Sequence, residues 1–114
     1  YTGISANYQL VHTAGADGSL IEGIKFTPAG TNVATVMRIF INNGSTNATA
    51  TNNTFVGEIS LQATTASATA ALTSPEFYFP RGAIRLSPSF RIYVGLATAV
   101  AAGWVPSIIA GGQY

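Results

Sequence analysis

The chain has 114 residues, of which 8% are charged, and its five Lys or Arg residues against four Asp or Glu residues leave a net charge of +1. This charge is too weak for the counterion release that drives nucleic-acid binding. The absence of cysteine excludes disulfides and thiolate metal sites. No apolar run reaches the roughly 18 residues of a membrane span. Because soluble domains carry about a quarter of their residues as charged side chains, a domain this neutral is expected to pack against other protein.

The first predicted strands are residues 6–12 and 20–27, and in the second of them Ile24 and Phe26 align on one face. Between the two strands, Gly15-Ala16-Asp17-Gly18 has the composition of a tight turn. A turn placed between two strands predicts a hairpin in which they pair with each other.

A second turn is predicted at residues 28–32, and it leads into the most apolar strand of the chain. Residues 33–42 (VATVMRIFIN) are apolar on both faces apart from Thr35 and Arg38. This pattern predicts a central strand that is covered on both sides of its sheet, or covered on one side by a partner subunit.

Residues 42–54 (NNGSTNATATNNT) form a polar, low-complexity segment that cannot bury apolar surface. An exposed loop is therefore expected. It contains three Asn-x-Ser/Thr triplets, at Asn43, Asn47 and Asn52. They are formally glycosylation acceptors, but a segment made of little besides Asn, Ser and Thr produces such triplets by coincidence, and this is the preferred interpretation.

Residues 54–62 alternate so that one predicted face carries Phe55, Gly57, Ile59 and Leu61. Residues 90–97 alternate in the same way, with Phe90, Ile92, Val94 and Leu96 on the predicted buried face. A short strand is predicted at residues 84–86, between turn signals on both sides.

A terminal strand is predicted at residues 104–109, where Pro106 favours the edge of a sheet because it has no N–H to donate. No segment predicts a convincing helix, and the best candidate, residues 63–72, is weakened by its Thr and Ser content. The chain is thus predicted to be all-β, a single-domain antiparallel β-sandwich or jelly roll over residues 1–114. Residues 1–7 are expected to form an extended N-terminal arm.

Catalysis, a cofactor and a metal site are not expected. His12 is the only imidazole, and a histidine near the end of a strand is usually a structural residue. A mechanism with paired carboxylates needs two acids in one cleft. Of the four acids, Asp17 occupies a predicted turn, and Glu22 and Glu58 occupy strand positions that face solvent. The fourth acid, Glu76, precedes an aromatic run. An oxygen-ligated cation on a subunit axis is the one metal alternative left open.

The aromatic residues allow two interpretations. Trp104 and Tyr93, with the Asn-rich segment, are suited to a sugar-binding platform, because aromatic rings stack against sugars. The preferred interpretation is packing within the core and between subunits. A stacking surface for single-stranded nucleic acid lacks the surrounding basic residues that it would need.

Three segments together carry a resemblance to a known family. They are residues 12–26 (HTAGADGSLIEGIKF), residues 31–44 (TNVATVMRIFINNG), and the ending with Gly103-Trp104 and residues 111–114 (GGQY). In this order they resemble small structural proteins of tailed bacteriophages, of the capsid decoration or cement type. In that family the final segment has an acid where this chain has Gln113, and the loop at residues 42–54 is shorter.

The resemblance implies a decoration protein that binds the major capsid protein on the outer surface of the virion and stabilises the shell, commonly as a homotrimer. Nucleic acid and membrane are not expected as partners. The residues expected to contact the capsid or neighbouring subunits are aromatic or large and apolar: Tyr1, Ile4, Met37, Phe40, Phe77, Tyr78, Phe79, Trp104 and Tyr114. The alternatives are a glycan-binding head-fibre or lectin-like module, and a tail or connector component.

Overall fold

The computed structural model describes residues 8–113, which form ten short strands and no α-helix. The strands are β1 (Gln9–Thr13), β2 (Ser19–Ile21), β3 (Gly23–Pro28), β4 (Thr35–Asn42), β5 (Asn53–Leu61), β6 (Glu76–Tyr78), β7 (Ile84–Leu86), β8 (Arg91–Leu96), β9 (Trp104–Ile108) and β10 (Gly111–Gln113). Two 3₁₀ turns, Ala50–Asn52 and Pro80–Gly82, complete the regular structure. The predicted all-β class is confirmed.

The strands form three antiparallel sheets, with the orders β1-β8-β4-β5, β10-β2-β7 and β6-β3-β9. The sheets enclose one hydrophobic core of the β-sandwich type. The four-stranded sheet contributes Ile39 and Ile92, and the smaller sheets contribute Ile21, Ile24 and Phe26, all of them fully buried. Burying each such side chain stabilises the fold by roughly 1.5–3 kcal/mol.

The prediction of a central strand covered on both faces is confirmed for β4, which begins at Thr35; Val33, at the start of the predicted segment, is 61% exposed. β4 lies between β8 and β5, and its successive residues Ile39 and Phe40 are both fully buried although they point to opposite faces. Ile39 enters the core, while Phe40 is covered on the outer side by other aromatic rings of the same chain. The covering of the second face is therefore supplied within the chain.

The predicted hairpin between the first two strands is wrong, although its turn exists. The Gly18 N–H donates to the Gly15 carbonyl at 3.1 Å, which closes the turn. β1 then pairs with β8, and β2 pairs with β7 and β10, so the strands on either side of the turn enter different sheets. The segment 20–27 also divides at Glu22, whose N–H donates to the Ala110 carbonyl while its carbonyl accepts from Phe79.

Residues 63–72 form no helix because local side-chain bonds occupy the backbone. The Ser67 hydroxyl accepts hydrogen bonds from the N–H groups of Thr69 and Ala70. Bonds of this kind compete with helical pairing. β9, which contains Pro106, is an edge strand of its sheet, as its proline predicts.

The Asn-rich segment joins β4 to β5, and its own side chains hydrogen-bond across it. Asn42, at the end of β4, is fully buried; its Nδ2 donates to Asn53 Oδ1 at 2.9 Å and its Oδ1 accepts from the Gly44 N–H at 2.8 Å. Asn43 Nδ2 donates to Asn52 Oδ1 at 3.2 Å. Most of the loop is exposed as predicted, whereas Asn42 is buried and Gly44, Asn47, Asn52 and Asn53 are half-buried.

Asn32 joins three loops in a buried network. Its Nδ2 donates to the Gly30 and Gly103 carbonyls, and its Oδ1 accepts from the N–H groups of Ala102 and Gly103. Its backbone pairs with Thr64 through both the N–H and the carbonyl. One side chain thus makes four hydrogen bonds to backbone groups. The Gly30 and Gly103 carbonyls also accept from the Thr64 hydroxyl and the Ala29 N–H, respectively, whereas the N–H groups of Ala102 and Gly103 depend on Asn32.

Gln113 ties the last described strand to the first turn. Its Oε1 accepts from the Gly15 N–H at 2.8 Å and its Nε2 donates to the Thr13 carbonyl at 3.1 Å. A carboxylate has no N–H to donate, so an acid at this position would lose the second bond. The two bonds give a structural reason for an amide rather than an acid at position 113.

Candidate interaction surface

The outer face of the four-stranded sheet carries a row of apolar and aromatic side chains. Pairing places Leu10 opposite Tyr93, Tyr93 opposite Phe40, and Phe40 opposite Phe55, so that one row crosses all four strands. The two ends of the row are exposed, Leu10 at 46% and Phe55 at 37%. We call Leu10, Phe40, Phe55 and Tyr93, together with Tyr8, the outer aromatic row.

Tyr8 covers the centre of this row because β8 has a glycine at the required position. A Cβ at Gly95 would overlap the Tyr8 ring, so only glycine lets the ring lie flat on the strand. The Tyr8 and Phe40 rings stack with centroids 5.2 Å apart, and the Phe40 and Phe55 centroids are 5.4 Å apart. Such pairs contribute about 0.5–1.5 kcal/mol beyond their burial.

The charged side chains beside the outer aromatic row engage polar partners within the same face. Arg38 Nε and Glu58 Oε2, one row away, are 3.4 Å apart. Arg91, on the other side, donates to the Ser45 carbonyl at 3.4 Å. An exposed ion pair of this kind adds little stability, but it neutralises the surface around the row.

Phe55 lies on the outer face, which corrects the predicted alternation of residues 54–62. Ile39 pairs with Gly57 and the next residue, Phe40, pairs with Phe55, so Val56 is an extra residue in the ladder. This β-bulge turns Phe55 to the opposite face from Gly57, Ile59 and Leu61. The glycine within the strand was the signal for a bulge, since glycine in a strand interior often marks one.

Most of the side chains predicted to face a neighbouring subunit are placed inside the domain instead. Met37, Phe40, Phe79 and Trp104 are buried within the chain, and Phe77 is half-buried against the core. Their apolar character is used in folding, so they have little surface to offer a partner. Tyr78 remains exposed, on the sheet that contains β6. The predicted contacts Tyr1, Ile4 and Tyr114, and the N-terminal arm at residues 1–7, lie outside the described residues.

Tyr78 is oriented by its own strand. Its hydroxyl donates to Glu76 Oε2 at 2.6 Å, and this bond, with the nearby negative charge, raises the pKa of the phenol. The ring lies against Gly23 of β3, where a Cβ would be 2.9 Å from a ring carbon. Sequence reasoning singled out Tyr78, but it missed Tyr8, Leu10 and Phe55, because their placement depends on which strands pair.

His12 occupies a structural position. Its Nε2 lies 2.8 Å from the hydroxyl of Ser19, whose side chain is fully buried. None of the hydrogen bonds among residues 8–113 joins His12 to a carboxylate. The same residues contain no group of three or more His, Asp or Glu that could hold a metal ion. No helix within residues 8–113 is long and apolar enough to cross a membrane.

Partial burial lowers the pKa of His12 from its ordinary value of 6.5. The unfolded chain therefore binds more protons than the folded chain between the lowered pKa and 6.5. We expect His12 to make its full contribution to the free energy of unfolding above pH 6.5. This contribution, and with it the free energy of unfolding, should fall as the pH drops from 6.5 through the lowered pKa. Urea unfolding at about pH 7.5 and about pH 5.5 measures this difference.

The matched variant is His12→Gln, which keeps a hydrogen-bonding partner for Ser19 but cannot titrate. Its unfolding free energy should change less between the two pH values than that of the parent chain. An identical change in both proteins would show that another group is responsible.

Comparison of the chain with protein-family models, with curated proteins and with solved structures finds no match.

Proposed function

We propose that this chain is a structural protein of a bacteriophage virion, a capsid decoration protein that assembles as a homotrimer on the outer surface of the shell and fastens neighbouring copies of the major capsid protein. The observation that carries the proposal is the outer aromatic row. It leaves large apolar side chains at the surface of a chain in which only 8% of residues are charged. The sequence resemblance to decoration proteins supports the same role.

The outer aromatic row is suited to contact with another copy of the same chain. Leu10 and Phe55 offer apolar area at the two ends of the row. Arg38 and Glu58 neutralise each other beside it, so two copies meet without strong like-charge repulsion. A weakly charged surface also lowers the desolvation cost of a wide contact.

The repeated, symmetric surface of a capsid shell also favours a protein of this kind. A decoration protein binds at many symmetric positions, so weak single contacts add to a strong total attachment. Such a protein needs contact area rather than catalytic groups, and small residues such as Ala, Gly, Ser and Thr permit close approach of loops and sheets. This chain has 12 glycines among its 114 residues.

The test has two parts. Sedimentation equilibrium should give a mass three times that of one chain, and the purified protein should cosediment with phage capsids from which decoration protein is absent. Replacing Leu10 with serine should raise the dissociation constant of the trimer roughly tenfold, since burial of a leucine side chain contributes about 1.5–3 kcal/mol when complete.

The control is Val105→Ser, on β9, where the side chain is 53% exposed and lies on a different sheet. It should leave the trimer unchanged. A stable monomer that does not bind capsids would contradict the proposed function. A trimer that is equally sensitive to both substitutions would retain the function but reject the outer aromatic row as its contact.

A further inference from the structure

A small cleft whose surface is partly polar and largely apolar lies beside Trp104, at the end of β5 that is remote from the Asn-rich loop. Its volume is about 230 Å³. It lies between the residues that follow β5 and the segment that leads into β6, and it is lined by Ser60, Gln62, Ala63, Thr64, Thr73, Ser74, Pro75 and Trp104. The volume lies below the roughly 300–1,000 Å³ of sites for drug-sized ligands, so the cleft suits one small ring.

Trp104 supplies an observation that packing alone leaves unexplained. The side chain is 8% exposed, and its Nε1–H is buried without an acceptor. A buried N–H without an acceptor is destabilising, and native structures contain few of them. Trp104 lines the cleft but its Nε1 has almost no accessible surface, so an acceptor oxygen of a ligand would reach this N–H only after the cleft wall moves.

The rest of the cleft wall offers unused hydrogen-bonding groups. The side chains of Ser60, Gln62, Thr73 and Ser74 make no hydrogen bond within residues 8–113, whereas the Thr64 hydroxyl donates to the Gly30 carbonyl at 2.7 Å. The four free groups combine hydroxyls, which both donate and accept, with a carboxamide, which does both through different atoms. The occupant is therefore expected to have several hydroxyl groups.

The charge of the wall narrows the class of ligand. None of its residues is ionisable, so a charged ligand would lose hydration without gaining a counter-charge. Pro75 and Trp104 give an apolar side against which a ring can rest. We propose that this cleft binds a single neutral hexose ring, as a free sugar or as the terminal residue of a glycan.

This site differs from the sugar platform considered from the sequence. That platform joined Trp104 to Tyr93 and the Asn-rich loop. From Asn53, at the start of β5, to Ser60, which lines the cleft, is seven residues, and at about 3.3 Å per residue this holds the Asn-rich loop and the cleft more than about 20 Å apart. Tyr93 belongs to the outer aromatic row. The cleft uses Trp104 with hydroxyl and amide side chains instead.

The chain contains one tryptophan, so its indole N–H gives a unique signal in a ¹⁵N-correlated NMR spectrum. Titration with D-galactose, D-glucose and N-acetyl-D-glucosamine should move this signal in a saturable way for at least one of them. The expected dissociation constant is on the order of 1 mM, because a small cleft offers few contacts. D-glucuronate, which carries a charge, should bind more weakly than its neutral counterpart.

Gln62→Ala should weaken the binding about five- to tenfold while leaving the fold intact, because the side chain is exposed. Gln9→Ala, the same substitution at an exposed position on β1, should leave binding unchanged. The proposal is overturned if no neutral hexose moves the indole signal up to its solubility limit, if D-glucuronate binds as well, or if Gln62→Ala and Gln9→Ala behave alike. The isolated protein suffices, so the result is independent of capsid binding.

Discussion

Replacing Asn32 with alanine is expected to destabilise the domain by about 3 kcal/mol, because it removes four hydrogen bonds at once and leaves the N–H groups of Ala102 and Gly103 without their acceptor. The carbonyls of Gly30 and Gly103 and the N–H groups of Ala102 and Gly103 all bond to this one side chain. Asn32 is 3% exposed, so water does not readily replace the lost bonds. Urea unfolding followed by tryptophan fluorescence measures the change, with Trp104 as the only fluorophore of its type.

Asn32→Asp tests the same network without changing its volume. The carboxylate still accepts from Ala102 and Gly103 but faces the Gly30 and Gly103 carbonyls with an acceptor instead of a donor. A loss of similar size is expected for this variant.

Asn43→Ala is the control, since that asparagine also bonds through both side-chain atoms but is exposed. Its expected cost is below about 1 kcal/mol. Equal losses at Asn32 and Asn43 would contradict the argument from burial.

Gly18→Ala should cost about 3 kcal/mol, because two independent penalties act at this position. The backbone has a φ of +83°, in the left-handed region, which costs a side-chain-bearing residue about 1–2 kcal/mol. A Cβ would also overlap the Leu86 carbonyl oxygen of β7, a backbone atom that cannot move aside by rotating a side chain. Overpacking of this kind adds about 1–3 kcal/mol.

Gly82→Ala separates the two penalties. Gly82 has a similar φ of +91°, but nothing lies within 4 Å of the position that its Cβ would occupy. Only the conformational penalty should appear, as a fall in melting temperature roughly half that of Gly18→Ala. If the two variants are equally stable, the overlap with the Leu86 carbonyl oxygen adds no measurable destabilisation, and the argument from overpacking is wrong.

The strands of this fold were largely predictable because their signal is local. Alternation in residues 90–97 and the two apolar faces of residues 33–42 are visible in the sequence, and both appear in β8 and β4. The position of Pro106 likewise predicted an edge strand correctly. β6 and β10 were missed because strands of three residues carry little pattern of their own, whereas β7, of the same length, was predicted from the turn signals on both sides of it.

Strand pairing was not predictable, because it depends on residues that are distant in the chain. A turn such as Gly15-Ala16-Asp17-Gly18 predicts reversal, but it does not determine whether the two flanking strands share a sheet. Because strand pairing was not predicted, the residues on the candidate interaction surface were not predicted either. Large apolar residues such as Met37 and Phe79 were expected at an interface and form the core instead, while a one-residue bulge brings Phe55 outside.

The role of Asn32 shows a further limit. In the sequence it is one polar residue at the end of a predicted turn, with the same composition signal as the asparagines of the exposed loop. Its importance comes from Gly103 and Ala102, about 70 residues further along the chain. The cleft beside Trp104 is similar, because it forms only where the ends of β5 and β9 meet the segment before β6.

The order of the strands has a consequence for how the chain folds. Among the described strands, β4 and β5 are the only neighbours in sequence that also pair with each other, and every other pairing closes a long loop. Closing a long loop costs chain entropy before the contacts that it brings together can form. Topologies with many such pairings therefore fold slowly, in milliseconds to seconds. The asparagine bonds that join Asn42 to Asn53 and Asn43 to Asn52 hold the register of this one local hairpin. The least apolar stretch of the chain is therefore the natural starting point for folding, and lengthening it should slow folding while leaving the rate of unfolding almost unchanged.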